Sequence, residues 1–166
     1  PDLDSYCEHF RGADAVVHLA YNKGRSGGFK HRGYEQERVN LDMAQHVYQL
    51  AMEEGIGRVV VASSNHAADW YEHQIRAREL EMLGPAASPL SDNWYGWAKA
   101  AYELMGFMYA TGSQGTAVEN VQLRIGAPRP IHWAGFAPDD RVGYKRDLGA
   151  YISPRDLGQL CVKSLE

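Results

Sequence analysis

Tyr95 and Lys99, in the stretch YGWAK, lie four residues apart, and on a helix that spacing puts both side chains on one face. A tyrosine ionises near pH 10 in water and is a poor base at neutral pH, but a neighbouring ammonium favours the phenolate. The pair therefore has the makings of a general base. Upstream, the apolar run RVVVA ends at Ser63, Ser64, Asn65 and His66, the head of SSNHAADWYE. That much hydrogen-bonding capacity at the end of a buried-looking strand suits a place where an oxygen is held and a proton moved. Each feature also has a plainer alternative. A Tyr/Lys pair can be an exposed helix pair, the two serines can satisfy backbone groups at a strand end, and a histidine after a strand is often a loop hydrogen-bonder.

The surrounding sequence supplies elements to position these residues. Asp14 to Ala20 (DAVVHLA) is a short β-branched run, and the stretch YNKGRSGGFKHRG after it reads as a flexible loop. From Asn40 to Glu54 the apolar residues recur at helical spacing, with Gly55 as a stop. RVVVASS is a second strand. After the turn-prone GPAASPLSD, Ser91 or Asp92 can cap a helix carrying YGWAKAAYELMGFMYATG, ended by Gly112. Val118 to Ile125 is a third strand, and Ser153, Pro154 and Asp156 open a last helix. Alternating strands and helices predict parallel βαβ units in a three-layer, doubly wound α/β fold of Rossmann type. In such sheets ligands sit beyond the carboxyl ends of the strands, where SSNH and the residues after HLA and RIG fall.

Composition narrows the classes. A chain of 166 residues, 45% hydrophobic and 23% charged, matches a single globular domain. A net charge of -4 with scattered arginines gives a nucleic-acid partner no electrostatic support. Cys7 and Cys161 form neither a metal-ligand spacing nor a disulfide framework, so no metal is expected and a reducing cytoplasm is. No apolar run approaches the roughly 20 residues of a membrane helix. The tryptophans Trp70, Trp94 and Trp97 and the pair Phe107 and Tyr109 read as core or subunit contact rather than a base-stacking platform.

A strand ending in VHLA, an asparagine opening the next helix, a strand ending in VVVASS and then Y-x-x-x-K on the following long helix together resemble the extended short-chain dehydrogenase/reductase family. These are NAD(P)-dependent proteins of the nucleotide-sugar epimerase type, and the resemblance runs from about Ala13 to the end of the chain. SSNH, YGWAK, RIG and a basic pair before YISPRD are most similar to its uronate dehydrogenase branch, which oxidises the anomeric carbon of hexuronates with NAD.

The resemblance implies roles. Ser64 would hydrogen-bond the reacting hydroxyl, Tyr95 would act as base, and Lys99 would hold the nicotinamide ribose and lower the tyrosine pKa. Asn65 and His66 would touch substrate. Arg146 would pair with a substrate carboxylate, as a guanidinium fork can, although Arg129, Arg141, Lys145 and Arg155 are near in sequence. Leu19 and Ala20 would lie along the dinucleotide, Asn40 would open the next helix beside it (or simply cap that helix), and Ile125 with Gly126 would flank the nicotinamide. NAD is the implied cofactor, with NADP left open. The implied partners are a small sugar and a second copy of the chain, through the Asn40 and Tyr95 helices, with no nucleic acid and no membrane.

Two departures shape the expectation. The family's glycine-rich phosphate fingerprint does not occur in these residues, and Gly24, Gly27 and Gly28 follow the wrong strand to supply it. The chain is therefore expected to be a single partial domain, residues 1–166, from the middle and later part of a longer enzyme, lacking the N-terminal βαβ units and binding NAD poorly alone. Ala127 follows RIG where uronate dehydrogenases tend to carry serine, which leaves room for a neutral or phosphorylated sugar; Met43 replaces a frequent glycine. Alternatives are a nucleotide-sugar epimerase or dehydratase and a non-catalytic nucleotide-binding sensor.

Overall fold

The computed structural model describes residues 3–24 and 33–166. Residues 25–32, the middle of the loop read from YNKGRSGGFKHRG, with Gly27 and Gly28, lie outside the described residues. After a short helix α1 (Cys7–Phe10) come β1 (Ala15–His18), α2 (Tyr34–Glu53), β2 (Arg58–Ser64), α3 (Glu72–Arg76), α4 (Trp94–Ala110), β3 (Glu119–Ile125), α5 (Arg141–Gly149) and α6 (Pro154–Lys163). A tight 3-10 segment, Asn65–Tyr71, links β2 to α3.

The strands form a parallel sheet in the order β1-β2-β3. Its register pairs His18 with Val61 and Ser64 with Ile125, so the carboxyl ends of the strands share one edge. Side chains alternate along β2. Val59 and Val61 face a core made with Ala44, Val47, Tyr48 and Leu50 of α2 and Tyr102 and Tyr109 of α4. Val59, Val60 and Val61 are each 0% exposed, and burying each contributes about 1.5–3 kcal/mol. The rings of Tyr48 and Tyr109 stack at 5.2 Å between the two helices. Val60 and Ala62 face the other side, where Arg58 reaches the end of α6 by donating from Nη1 to the Ser164 carbonyl at 3.4 Å. Helices α2 and α4 thus cover one side of the sheet, and the end of α6 meets its other side.

Several boundaries differ from the sequence reading. Helix α2 begins at Tyr34, well before Asn40. Its first residues, YEQERV, are mostly polar helix formers held by a Glu35–Arg38 pair at 3.2 Å, and the apolar period appears only where the helix meets the sheet. Asn93 rather than Ser91 or Asp92 caps α4, accepting from the Gly96 amide at 2.9 Å. The basic stretch after RIG is helical, an element the sequence reading does not include: Asp140 accepts from the Gly143 amide at 2.9 Å and starts α5, which carries Arg146. Of the Phe107–Tyr109 pair, Tyr109 is core while Phe107 is 70% exposed, three residues after Leu104, itself 62% exposed. Ser153 caps α6 as expected, accepting from the Asp156 amide at 3.0 Å. Among the described residues no helix is long and apolar enough to cross a membrane.

Candidate active site

The strand ends open onto a cavity of about 760 Å³ whose lining includes Leu19, Ser64, Asn65, His66, Tyr95, Lys99, Ile125, Gly126 and Arg146. Residues named from β-strand ends, from the first turn of α4 and from α5 thus meet at one place. Two expected residues lie off its wall. Ala20 is exposed next to Leu19. Asn40 is 0% exposed inside α2, so it neither opens nor caps that helix. Its side chain accepts from the Asn22 amide at 2.7 Å and donates to the Asn22 carbonyl at 3.1 Å. Asn40 therefore fixes the path of the chain after β1, which carries Leu19 and Tyr21 into the cavity wall.

Alternation splits the two serines. Ser63 turns toward α4 and donates to Glu103 at 2.7 Å, a carboxylate that also holds Arg124 at 2.7 Å. Ser64 turns toward the cavity. Its Oγ accepts from the His66 amide at 3.2 Å and lies 3.5 Å from the Ile125 carbonyl, so the hydroxyl caps the following turn and stands at the end of β3 as well. The strand-end contact and a place on the cavity wall thus fall to one residue.

Lys99 is 3% exposed. Its Nζ donates to the Ala62 carbonyl at 2.7 Å, one of the three hydrogen bonds an ammonium can give. Aromatic rings surround it, with centroids at 4.4 Å for Tyr102, 5.2 Å for Tyr21 and 5.8 Å for Tyr95. Burial pushes its pKa down to about 8, a fall that the buried Glu37 carboxylate opposes. Tyr21 donates to that same carboxylate at 2.6 Å. Tyr95 stands edge-on to Tyr21 at 5.3 Å and to His66 at 5.4 Å, which fixes its ring between the two walls.

A network of charges closes the other side. Asp69 Oδ2 lies 2.7 Å from His66 Nδ1 and accepts from Asn93 Nδ2 at 2.7 Å. Arg146 donates from Nη2 to Asp69 Oδ1 at 2.9 Å, and its Nε is ion-paired with Glu72 Oε1 at 2.8 Å. Nη2 also lies 2.9 Å from His66 Nδ1; that nitrogen either donates to Asp69 or accepts from Arg146, and the arginine keeps both carboxylates in either case. Burial alone raises the Asp69 pKa, but His66, Arg146 and Asn93 together more than offset it and hold the carboxyl below its ordinary range.

Close backbone approach holds the two walls together. A Cβ on Gly96 would stand 2.0 Å from the His66 carbonyl oxygen and 2.1 Å from Ser91 Oγ, so only glycine lets the start of α4 rest on the turn after β2. Gly126 plays the same part against α5, where a Cβ would meet the Ala150 carbonyl oxygen at 1.9 Å. Sequence reasoning missed Asp69, Glu72, Asn93 and Gly96. Asp69 and Glu72 stand three and six residues after His66 in the stretch already singled out, but Arg146, the residue that gives them meaning, is 77 positions from Asp69. Among the described residues no group of three His, Cys, Asp or Glu side chains could hold a metal ion.

Comparison with known proteins gives this geometry its setting. The sequence profile described as Epimerase, the NAD dependent epimerase/dehydratase family, matches residues 1–135. An L-arabinose 1-dehydrogenase (NAD(P)(+)) from Haloferax volcanii is 34% identical over 99% of this chain and 65% of its own length. A uronate dehydrogenase from Pseudomonas syringae pv. tomato is 27% identical over 99% of this chain and 51% of its own length. The chain thus spans between half and two thirds of the length of these relatives. A solved structure of a mutated uronate dehydrogenase superposes over 98% of this chain and 50% of its own, with a TM-score of 0.63 at 19% identity, a likeness of fold.

Proposed function

Because the chain belongs to the NAD dependent epimerase/dehydratase family, we propose that the protein is an NAD-dependent oxidoreductase that oxidises a sugar, a uronate or related aldose, at its anomeric carbon. The observation that carries this reading is the meeting of Ser64, Tyr95 and Lys99 at one cavity beyond the strand ends. The names of the two relatives, an L-arabinose 1-dehydrogenase and a uronate dehydrogenase, support sugar oxidation, and the first supports carbon 1.

The residues present fit the nicotinamide half of a dinucleotide. The cavity volume of about 760 Å³ lies within the ~300–1,000 Å³ range of small-molecule sites. Lys99 reaches it with N–H bonds beyond the one given to Ala62, and Leu19, Ile125 and Gly126 offer an apolar wall. Ala20 continues the chain next to Leu19, and Asn40 acts through the Asn22 segment that it pins.

In this reading Tyr95 removes the proton from the anomeric hydroxyl, and Ser64 Oγ orients that oxygen. The Lys99 ammonium stabilises the phenolate and holds a ribose hydroxyl. Asn65 and His66 contact the other hydroxyls of the sugar. The C–H bond at carbon 1 breaks with its electron pair as a C=O bond forms, giving the lactone. NAD, when bound, supplies the acceptor for that hydride.

The test is NADH formation from NAD and aldoses by the full-length natural polypeptide and its Tyr95→Phe variant. Turnover in the first and a loss of roughly 10²–10⁴-fold in the second are expected. Unchanged turnover in Tyr95→Phe would contradict the assignment of the base. Cofactor retained through purification with no net NADH on any sugar would move the reading to an epimerase or dehydratase.

A further inference from the structure

We infer that Asp69 and Glu72 set this site for an uncharged sugar by occupying Arg146, the arginine otherwise suited to a substrate carboxylate. The inference rests on the sugar-dehydrogenase reading above and refines its substrate class. A guanidinium recognises a carboxylate through paired N–H donors on one edge. Here Nη2 donates to Asp69 at 2.9 Å and Nε is ion-paired with Glu72 at 2.8 Å, so both nitrogens of that edge face protein carboxylates. The Asp69 side chain is 11% exposed and Glu72 27%, so solvent screens these contacts only in part.

The charge count follows. Glu72 also pairs with Arg76 at 3.0 Å, so two arginines stand against two carboxylates, with Asp69 held ionised by its hydrogen bonds, and the cluster has no surplus positive charge to offer an incoming anion. The second arginine on the cavity wall, Arg129, is also paired, with Asp147. Lys99 is turned to the Ala62 carbonyl beneath Tyr95. Lys23 is exposed on the segment after β1, where solvent screens its charge. An incoming carboxylate or phosphate seeking that edge would have to displace Asp69 or Glu72 from the guanidinium and then face the charge released. A neutral sugar does neither, and its hydroxyls can donate to these same carboxylate oxygens.

L-arabinose, D-galactose and D-galacturonate share their ring stereochemistry and differ in bearing hydrogen, hydroxymethyl or carboxylate at C5, which makes them matched probes. In the full-length polypeptide with NAD, kcat/KM for D-galactose or L-arabinose should exceed that for D-galacturonate at least tenfold. Glu72→Gln, and Asp69→Asn with Glu72→Gln, should then raise kcat/KM for D-galacturonate relative to D-galactose by about tenfold, mainly through a lower KM. Glu72→Gln alone, at the more exposed carboxylate, keeps the test available if the double variant fails to fold. Equilibrium binding of the sugars to the Tyr95→Phe protein with NAD gives a readout apart from turnover. A wild-type preference for D-galacturonate, or an unchanged ratio in Glu72→Gln, would overturn this inference while leaving the dehydrogenase reading in place. Absence of both binding and turnover for every sugar would overturn the two together.

Discussion

The face of the sheet beneath α2 and α4 and the rim at its carboxyl edge are built on the same strands and held by different forces. Beneath the helices, Val59, Val61, Tyr48, Leu50 and Tyr102 form a core in which each is at most 2% exposed, and packing and dehydration dominate. At the rim, Asp69, Arg146, Glu72 and His66 meet through charged hydrogen bonds and an ion pair. Pairs exposed to the extent of Arg146 and Glu72, 33% and 27%, contribute only about 0.2–1 kcal/mol each to stability. The core therefore holds the strands in register, while the rim network places Asp69, Arg146 and His66 on the cavity wall. Lys99 and His18 stand at the border, charged or titratable groups placed where the core meets the site.

That border gives the largest expected effect on stability. His18 is buried, and burial, reinforced by the charge on Lys99, pushes its pKa down to about 4. The unfolded chain, with an ordinary histidine pKa near 6.5, binds more protons between these values, so stability present above pH ~6.5 is lost as the pH falls to about 4. The shift corresponds to roughly 3 kcal/mol. Urea unfolding of the full-length protein should show that loss over this window, and His18→Gln should flatten it. An acid limb identical in the two proteins would place His18 with the exposed groups and blur the division between core and rim.

At the rim the expected effect is on activity. Gly96→Ala puts a Cβ 2.0 Å from a backbone oxygen of the turn that carries Ser64 and His66, and backbone cannot yield as a flexible side chain does. Displacing that wall by about 1 Å should cost on the order of 10²-fold in kcat/KM, with a smaller loss of about 1–3 kcal/mol in stability. Full activity in a folded Gly96→Ala protein would mean that the close approach does not position the site.

The two regions also differ in how far the sequence discloses them. β2 is legible to the residue, as RVVVASS, because a buried parallel strand must be continuously apolar. The start of α6 follows from Ser153 and Pro154, which act locally. Ser64, Tyr95 and Lys99 could be named because their spacing is short and their order along the chain is distinctive. Helix α2 began earlier than expected since its first turns are polar and leave no periodic trace, which also moved Asn40 from the helix mouth into its interior. Helix α5 hid for a similar reason. The pairing of Arg146 with Asp69 and Glu72 was invisible, because it depends on the fold bringing α5 onto the turn after β2 across 77 positions.

The central claim is that this cavity removes hydride from the anomeric carbon of a sugar. It is tested most directly by supplying the full-length protein with NAD and an aldose deuterated at carbon 1, then locating the label. The account predicts deuterium in the released NADH, in amounts matching the lactone formed. Deuterium kept on the sugar, whether turnover yields an epimer, a dehydrated product or nothing at all, would contradict it.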